Sequence, residues 1–286
     1  MNAAARSLSA PLPLVVRRQL KRLLDPAARA TRARDAELGR LADVPRDTPG
    51  STTLLGRRFH YLDARAFCDL YQAIFIREIY RFETARSDPL VLDCGANIGL
   101  ATLYVKQLLP QARVVAFEPD PIAADTFERN VVPASLPGVE LRREAVWTRQ
   151  GTVEFGSGPI DRGRVAGAIV AGDGGGPDSV TEVAAVRLRD FLVEPIALLK
   201  IDIEGAEVDV LGDCADRLDV VDLLFVEYHG FAGAPQRLVE MFEVLQSAGF
   251  RCYVEHEGRV VPHPLVDRRP AEGMDLQLNI SCVRQG

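Results

Sequence analysis

The chain has 286 residues, 47% of them hydrophobic and 26% charged, close to the globular average, which excludes large-scale disorder. Its formal charge of −6 is uneven: residues 1–50 carry 10 Lys+Arg against 5 Asp+Glu and the rest 24 against 35, so the main part lacks the basic track of a duplex-binding protein. No apolar run approaches the ~18 residues that span a bilayer, and "APLPLVV" is too short and too proline-broken for a secretory signal.

Residues 14–24, "LVVRRQLKRLL", set Val16, Leu20, Leu23 and Leu24 on one helical stripe, with Arg17, Arg18, Lys21 and Arg22 opposite. Packing on the chain's own domain, or on a second subunit in a homodimer, is the favoured reading of such a stripe. Peripheral docking on an anionic membrane surface and a transit peptide are the other two. A second arginine-rich helix is expected to about Leu41, and "VPRDTPGSTT", 44–53, has the composition of a linker. Residues 1–50 therefore read as a basic helical extension with its linker, and residues 51–286 as the main domain. A strand is expected over Arg57–Leu62. Asp63 can cap the next helix, in which Phe67, Leu70, Tyr71, Ile74 and Ile79 keep helical spacing.

From Leu90 the text alternates between strand and helix. "PLVLDCG" is a buried strand, Leu100–Leu109 a helix and "ARVVAFE" a second strand. Asp120 and Pro121 suit the cap and first residue of helix "PIAADTFERNV". "VELRREAV" and "GTVEFG" read as strands. "IALLKIDI" enters a helix at Gly205 whose Ala206, Val210, Cys214 and Leu218 share a face. The strand "VVDLLFVEY" follows. Leu238, Met241, Phe242 and Leu245 mark a helix that Gly249 can end, and "FRCYV" and "DLQLNISCV" pair near one edge. This rhythm predicts an α/β fold with a doubly wound, mostly parallel sheet and ligands beyond the carboxyl ends of its strands. Between the strands, residues 156–178 hold eight glycines in 23 positions, a lid-like or disordered loop. The five cysteines are odd in number and form no CxxC. Cys94, Cys252 and Cys282 read as small hydrophobes in strands, which points to a reducing compartment such as the cytoplasm.

The turn after the first buried strand carries the chemistry. In "VLDCGANIGLATLYV" (91–105), Gly95 and Gly99 allow a sharp bend and a close ligand. Asn97 tolerates the left-handed conformation where the dinucleotide pattern GxGxxG has glycine, so a nicotinamide-dependent oxidoreductase is disfavoured. Asp93, at the strand end, would repel a pyrophosphate and suit a cationic ligand. Glu118 ends the next strand 19 residues after Gly99, where a carboxylate grips a ribose diol. Together these select a nucleoside with a positively charged amino-acid tail, which describes S-adenosylmethionine. On this reading Asp93→Ala weakens cofactor binding severely in a protein that stays folded.

Further along, Lys200 and Asp202 share one strand face ~7 Å apart, with Asp202 at the carboxyl end, facing the sulfur end of the cofactor and counted among its binding residues. Glu204 and Glu207 are neighbours at the start of the next helix. For Glu207 the favoured role is stabilising that helix terminus; Lys200 neutralises a partly buried acid. Glu227 and His229 end the following strand on one face. As candidates for a general base, Asp202 has the better placement, His229 the better ordinary pKa of ~6.5, and Glu227 can orient the histidine. No metal is required by the spacing, though Asp202, Glu204, Glu227 and His229 could hold a divalent ion.

"VLDCGANIGLATLY", "VVAFEPDP", "LLKIDIEGAEVDVL" and "LLFVEYH", in this order, resemble the FkbM family of S-adenosylmethionine-dependent methyltransferases over roughly residues 57–255. The resemblance implies a seven-stranded class I methyltransferase fold and O-methylation of a sugar or natural-product hydroxyl. It implies Asp93, Gly95, Ala96, Asn97 and Gly99 at the methionine end of the cofactor, Glu118 on the ribose, and Pro119, Asp120, Ala145 and Val146 near the adenine. Asp202, His229, Glu227 and Lys200 form the expected catalytic set. The competing classes are a metal-dependent O-methyltransferase and a non-catalytic cofactor-binding or membrane-docking protein. Nucleic-acid methylation is disfavoured by the acidic main domain and by the lack of an Asn/Asp-Pro-Pro-aromatic motif.

Overall fold

The computed structural model describes residues 26–157, 168–169, 179–258, 263–266 and 273–285. The chain divides into two units, Met1–Val44 and Pro45–Gly286. In the first, Pro26–Ala42 forms helix α1, matching the second arginine-rich helix; the helix expected at 14–24 lies outside the described residues. No helix among the described residues is long and apolar enough to cross a membrane.

The second unit begins with an antiparallel pair, β1 (Gly50–Thr52) and β2 (Phe59–Tyr61). β1 thus occupies part of the segment read as linker. A Cβ on Gly50 would stand 2.4 Å from the Tyr61 hydroxyl oxygen, so a larger residue at the start of β1 must displace that ring. Asp63 caps α2 (Ala64–Tyr71) by accepting from Ala66 N at 2.8 Å. The α-helix does not reach Ile79 as its spacing predicted. It widens into a π-turn over Gln72–Ile76, with Arg77 N bonded to Gln72 O, and Ile79 lies beyond it.

The core is an α/β sheet built from β3 (Leu90–Cys94), α3 (Leu100–Leu108), β4 (Arg113–Phe117), α4 (Pro121–Val131) and β5 (Val139–Arg142). The chain then builds a second sheet from β6 (Ala145–Trp147), β7 (Gly151–Ser157), β8 (Ala168–Ile169) and β9 (Ser179–Arg187), in the order β6-β9-β7-β8. It returns to the main sheet with β10 (Ile196–Ile201), α5 (Glu207–Cys214), β11 (Val221–Phe231), α6 (Leu238–Ser247), β12 (Phe250–His256) and β13 (Met274–Arg284). The main sheet has seven strands, ordered β12-β13-β11-β10-β3-β4-β5. β5, β4, β3, β10 and β11 run parallel, and β13 runs antiparallel to both its neighbours. This is the doubly wound, mostly parallel architecture of the class I methyltransferase fold. Every residue of β3 and β10 is buried, as central strands covered on both faces require.

The sheets depart further from the sequence reading. The run 139–146 is not one strand: it breaks after Arg142, and β5 and β6 join different sheets. Between them Arg143 turns to α4, pairing with Asp125 at 2.8 Å and Glu128 at 3.0 Å. The glycine-rich stretch contains β8, paired with β7; the rest of the expected lid, 158–167 and 170–178, lies outside the described residues.

Behind the first turn of the main sheet, Asn130 on α4 acts as a clamp. Its Oδ1 accepts from His60 N at 2.7 Å, and its Nδ2 donates to His60 O at 3.0 Å and to Ile98 O at 2.9 Å. The side chain is buried with its polar atoms matched, so β2 and the turn are joined through one amide.

Candidate active site

Chain order in the main sheet reverses between β3 and β10: from β3 the chain builds outward to β4 and β5, and from β10 to β11. A crevice opens at the carboxyl ends of the strands where such a reversal occurs. The turn after β3 and the turn after β10 meet there. Gly95 has φ +82°, and a Cβ on it would stand 1.8 Å from the Asp202 carbonyl oxygen. Asp202 N in turn donates to Cys94 O at 3.1 Å. The two backbones are therefore in direct contact, and only glycine fits. Asn97 adopts φ 50°, the left-handed turn its side chain tolerates, and Gly99, at φ +94°, leads into α3.

A cleft of about 520 Å³, open mouth included, is lined by Gly95, Asn97, Phe117, Glu118, Pro119, Ala145, Val146, Phe155, Asp202, Ile203 and Glu204. Seven of the predicted cofactor residues are thus brought together: Gly95, Asn97, Glu118, Pro119, Ala145, Val146 and Asp202. Glu118 is fixed by backbone donors, with Oε2 accepting from Asn97 N at 2.7 Å and Oε1 from Asp120 N at 2.9 Å. Burial pushes its carboxyl up to about 7, against the pull of those two bonds.

The other four stand behind the cleft. Asp120 caps α4, accepting from Ile122 N and Ala123 N at 2.8 Å each. Ala96 and Gly99 build the turn. Asp93 is 1% exposed and does not face the ligand as its place at the strand end suggested. Its Oδ2 accepts from Thr102 Oγ1 at 2.8 Å, and its Oδ1, which has no hydrogen bond, lies 3.3 Å from Lys200 Nζ. Lys200 is its register partner on β10. Lys200 also donates to Gly95 O at 2.6 Å and lies 3.3 Å from Asp202 Oδ2. Burial pulls the lysine down, but the Asp202 and Asp93 carboxylates outweigh it and hold it well above its ordinary value. Lys200 therefore balances charge between two strands.

On the other side of Asn97, Asp202 and Glu204 lies a second cavity of about 690 Å³, open mouth included. Ala66, Asp69, Leu70 and Ala73, one face of α2 and its π-turn, form one wall; Glu257, which follows β12, with Gln277 and Asn279 on β13 form another, and Glu227, Ile79 and Tyr80 lie between. Of the expected catalytic set, Asp202 and Glu227 line this cavity, with His229 and Lys200 buried behind them. His229 Nδ1 is 2.8 Å from Glu207 Oε1, and Nε2 is 3.3 Å from Glu204, 3.6 Å from Glu227 and 3.9 Å from Asp202. Burial pulls the imidazole down, but Glu204 and Glu207 reverse this and hold it well above its ordinary value. Burial pushes Glu204 up to about 8 and, with Glu227, raises Asp202.

Sequence reasoning missed Phe155, Ile203 and the wall of the second cavity. Phe155 reaches the cleft from the second sheet, and Glu257, Gln277 and Asn279 lie far along the chain from Asp69; no spacing signals either. Glu204, read only as a metal ligand, carried a signal in its place between Asp202 and Gly205: its φ of 55° holds it in a strained turn at the junction.

Comparison with known proteins supplies an independent line. The family model for the methyltransferase FkbM domain matches residues 93–252. Methyltransferase 1 of Beauveria bassiana is 29% identical over 206 residues, covering 65% of this chain and 82% of that protein. The 2-O-methyltransferase NoeI of Sinorhizobium fredii is 31% identical over 163 residues, covering 50% of this chain and 64% of that protein. The 31-O-demethyl-FK506 methyltransferase FkbM of Streptomyces tacrolimicus is 28% identical over 220 residues, covering 66% of this chain and 83% of that protein.

Proposed function

This chain belongs to the FkbM methyltransferase family, and we propose that it transfers the methyl group of S-adenosylmethionine to a hydroxyl of a sugar or natural-product small molecule. The observation that carries this reading is the pair of cavities with a common wall. One is a narrow cleft with an apolar slot (Phe117, Pro119, Ala145, Val146, Phe155) and a carboxylate, Glu118. The other is a wider chamber lined by carboxylates and amides; they meet at Asn97, Asp202 and Glu204. Two relatives named for O-methyl transfer support the choice of oxygen as acceptor.

The cleft fits the cofactor by its donor set. The apolar slot suits an adenine, Glu118 a ribose diol, and the acids at the junction a sulfonium. The cofactor supplies a methyl group on that sulfonium, which leaves as a neutral thioether. The protein aligns the acceptor oxygen with the methyl, and this alignment can supply several kcal/mol. Asp202 and Glu204 stand at the junction, so the acceptor's proton passes to one of these carboxylates. Lys200 keeps the Asp93 and Asp202 charges compensated. A chamber rich in acids suits hydroxyls better than nucleic-acid phosphates. The test is transfer of labelled methyl into fractionated host extract and simple methyl glycosides. Label in a saccharide or small-molecule hydroxyl is expected; tight cofactor binding with no label in any fraction overturns the catalytic reading.

The Glu118 carboxyl, raised to about 7, makes cofactor binding pH-dependent. The ionised form accepts the ribose hydroxyls, so affinity measured by calorimetry is expected to rise between pH 6 and pH 8. In Glu118→Gln the step disappears and affinity falls about tenfold or more, the scale of a hydrogen bond to a charged group. In the unliganded protein the sign is opposite. A carboxyl raised from 4.5 to about 7 contributes stability that is full below 4.5 and lost as pH rises through 7. A flat pH profile of affinity in the parent protein removes Glu118 from the site.

A further inference from the structure

Asp202, Glu227 and His229 each offer one ligand atom, and the three atoms lie within 4.8 Å of one another. The imidazole is 1% exposed and its direction is fixed from behind. Glu207 Oε1, 2.8 Å from Nδ1, is itself held by Ile203 N at 3.2 Å and Gly205 N at 2.9 Å. Nε2 therefore points into the junction. The three carboxylate oxygens around it, at 3.3, 3.6 and 3.9 Å, are too far for charge-assisted hydrogen bonds, which run ~2.7–2.9 Å. Donors at ~2.0–2.2 Å from a metal stand roughly 3–3.5 Å apart; the Glu227 and Asp202 oxygens, at 3.6 and 3.9 Å from Nε2, are slightly wider than this and need only small side-chain shifts to close on an ion. Each ligand has a supporting partner. Glu207 holds His229, Lys200 lies 3.3 Å from the outer oxygen of Asp202, and Gln277 Nε2 donates to Glu227 Oε1. A histidine that carries its metal on one nitrogen and a carboxylate on the other is a recurring arrangement.

A second, independent observation lies in the same chamber. Asn279 is 4% exposed, its Nδ2 is spent on Glu257 at 2.9 Å, and its Oδ1 has no partner. That buried acceptor needs a donor from a ligand hydroxyl or an ion-bound water.

We propose that Asp202, Glu227 and His229 bind one divalent cation, whose open positions face the second cavity and take the acceptor hydroxyl. This rests on the methyltransferase reading and deepens it. The oxygen–methyl bond forms as the sulfur–methyl bond breaks, and its electron pair stays on sulfur. With Asp202 committed to the ion, Glu204 in its ionised form takes the hydroxyl proton. Glu207 is a positioning residue, acting through His229. The mixed oxygen and nitrogen set suits Mn²⁺, which serves as the probe.

The experiment uses the full chain, stripped with chelator and titrated with Mn²⁺ while free ion is followed by electron paramagnetic resonance. One saturable site per chain is expected. His229→Ala and Glu227→Gln should weaken it at least tenfold, and Glu207→Gln about tenfold, the scale of losing a supporting partner. Circular dichroism and cofactor affinity are measured on the same samples, so an unfolded variant is replaced by Asp202→Asn. Absence of saturable Mn²⁺ binding with cofactor binding intact overturns the metal site and leaves the methyltransferase reading standing. Mn²⁺ binding untouched by the variants overturns the ligand assignment. Mn²⁺ binding with no cofactor binding sinks the methyltransferase reading instead.

Discussion

Gly95→Ala is expected to abolish cofactor binding and to destabilise the domain by at least about 3 kcal/mol, the scale of overpacking combined with backbone strain. The added Cβ would sit 1.8 Å from the Asp202 carbonyl oxygen, a backbone atom that no rotamer change can move. The β3 turn is also held on both sides, because Asp202 N donates to Cys94 O and Gly95 N to Phe117 O at the end of β4. Relief therefore requires β10 to separate from β3, which displaces Asp202 from the junction. Thermal unfolding, read beside cofactor titration, checks both effects. A soluble variant with the parent's melting temperature and cofactor affinity would mean that the close approach of the two turns is wrong.

The second large effect is expected at Asp93. From its place at the strand end, Asp93→Ala was expected to spare the fold. The structure reverses that expectation, since the carboxylate is 1% exposed and compensates a buried lysine. Removing one partner of a buried ion pair costs on the order of 3 kcal/mol, and Thr102 loses its acceptor as well. Cofactor affinity is expected to fall at least tenfold, because Lys200 is then drawn towards Asp202 and away from Gly95 O. Asp93→Asn keeps an acceptor for Thr102 and removes only the charge, so it should lose less stability than the alanine variant. Denaturant unfolding of the two variants separates the contributions. Equal stability of parent and Asp93→Ala would rule out the buried pair.

These two positions show how legible the site was. Gly95, Asn97 and Glu118 were readable because each is dictated by local geometry: a positive φ, a left-handed turn, a strand end. Asp93 was identified as important but misdirected, since its facing depends on a register partner 107 residues away on β10. The main sheet was legible because its strands and helices are long and strongly periodic. The break after Arg142 was not, because 139–146 alternates through the point where the chain changes sheets. β9 was missed although Val183 and Ala185 alternate with exposed Ala184; it follows the glycine-rich stretch and lacks a turn signal of its own. The second cavity draws on α2, β11 and β13, so only the fold assembles it.

The Asn130 clamp has a bearing on where this protein can be cut. The family model covers residues 93–252, yet the turn it begins with is held through Asn130 to the backbone of His60. At the other boundary, β13 inserts between β11 and β12 and lies wholly beyond residue 252. A fragment trimmed to the matched segment would lose the backbone partners of a buried amide and open the sheet between two strands. The recognisable stretch and the autonomous folding unit are different objects here, and expression boundaries belong outside Gly50 and Arg284.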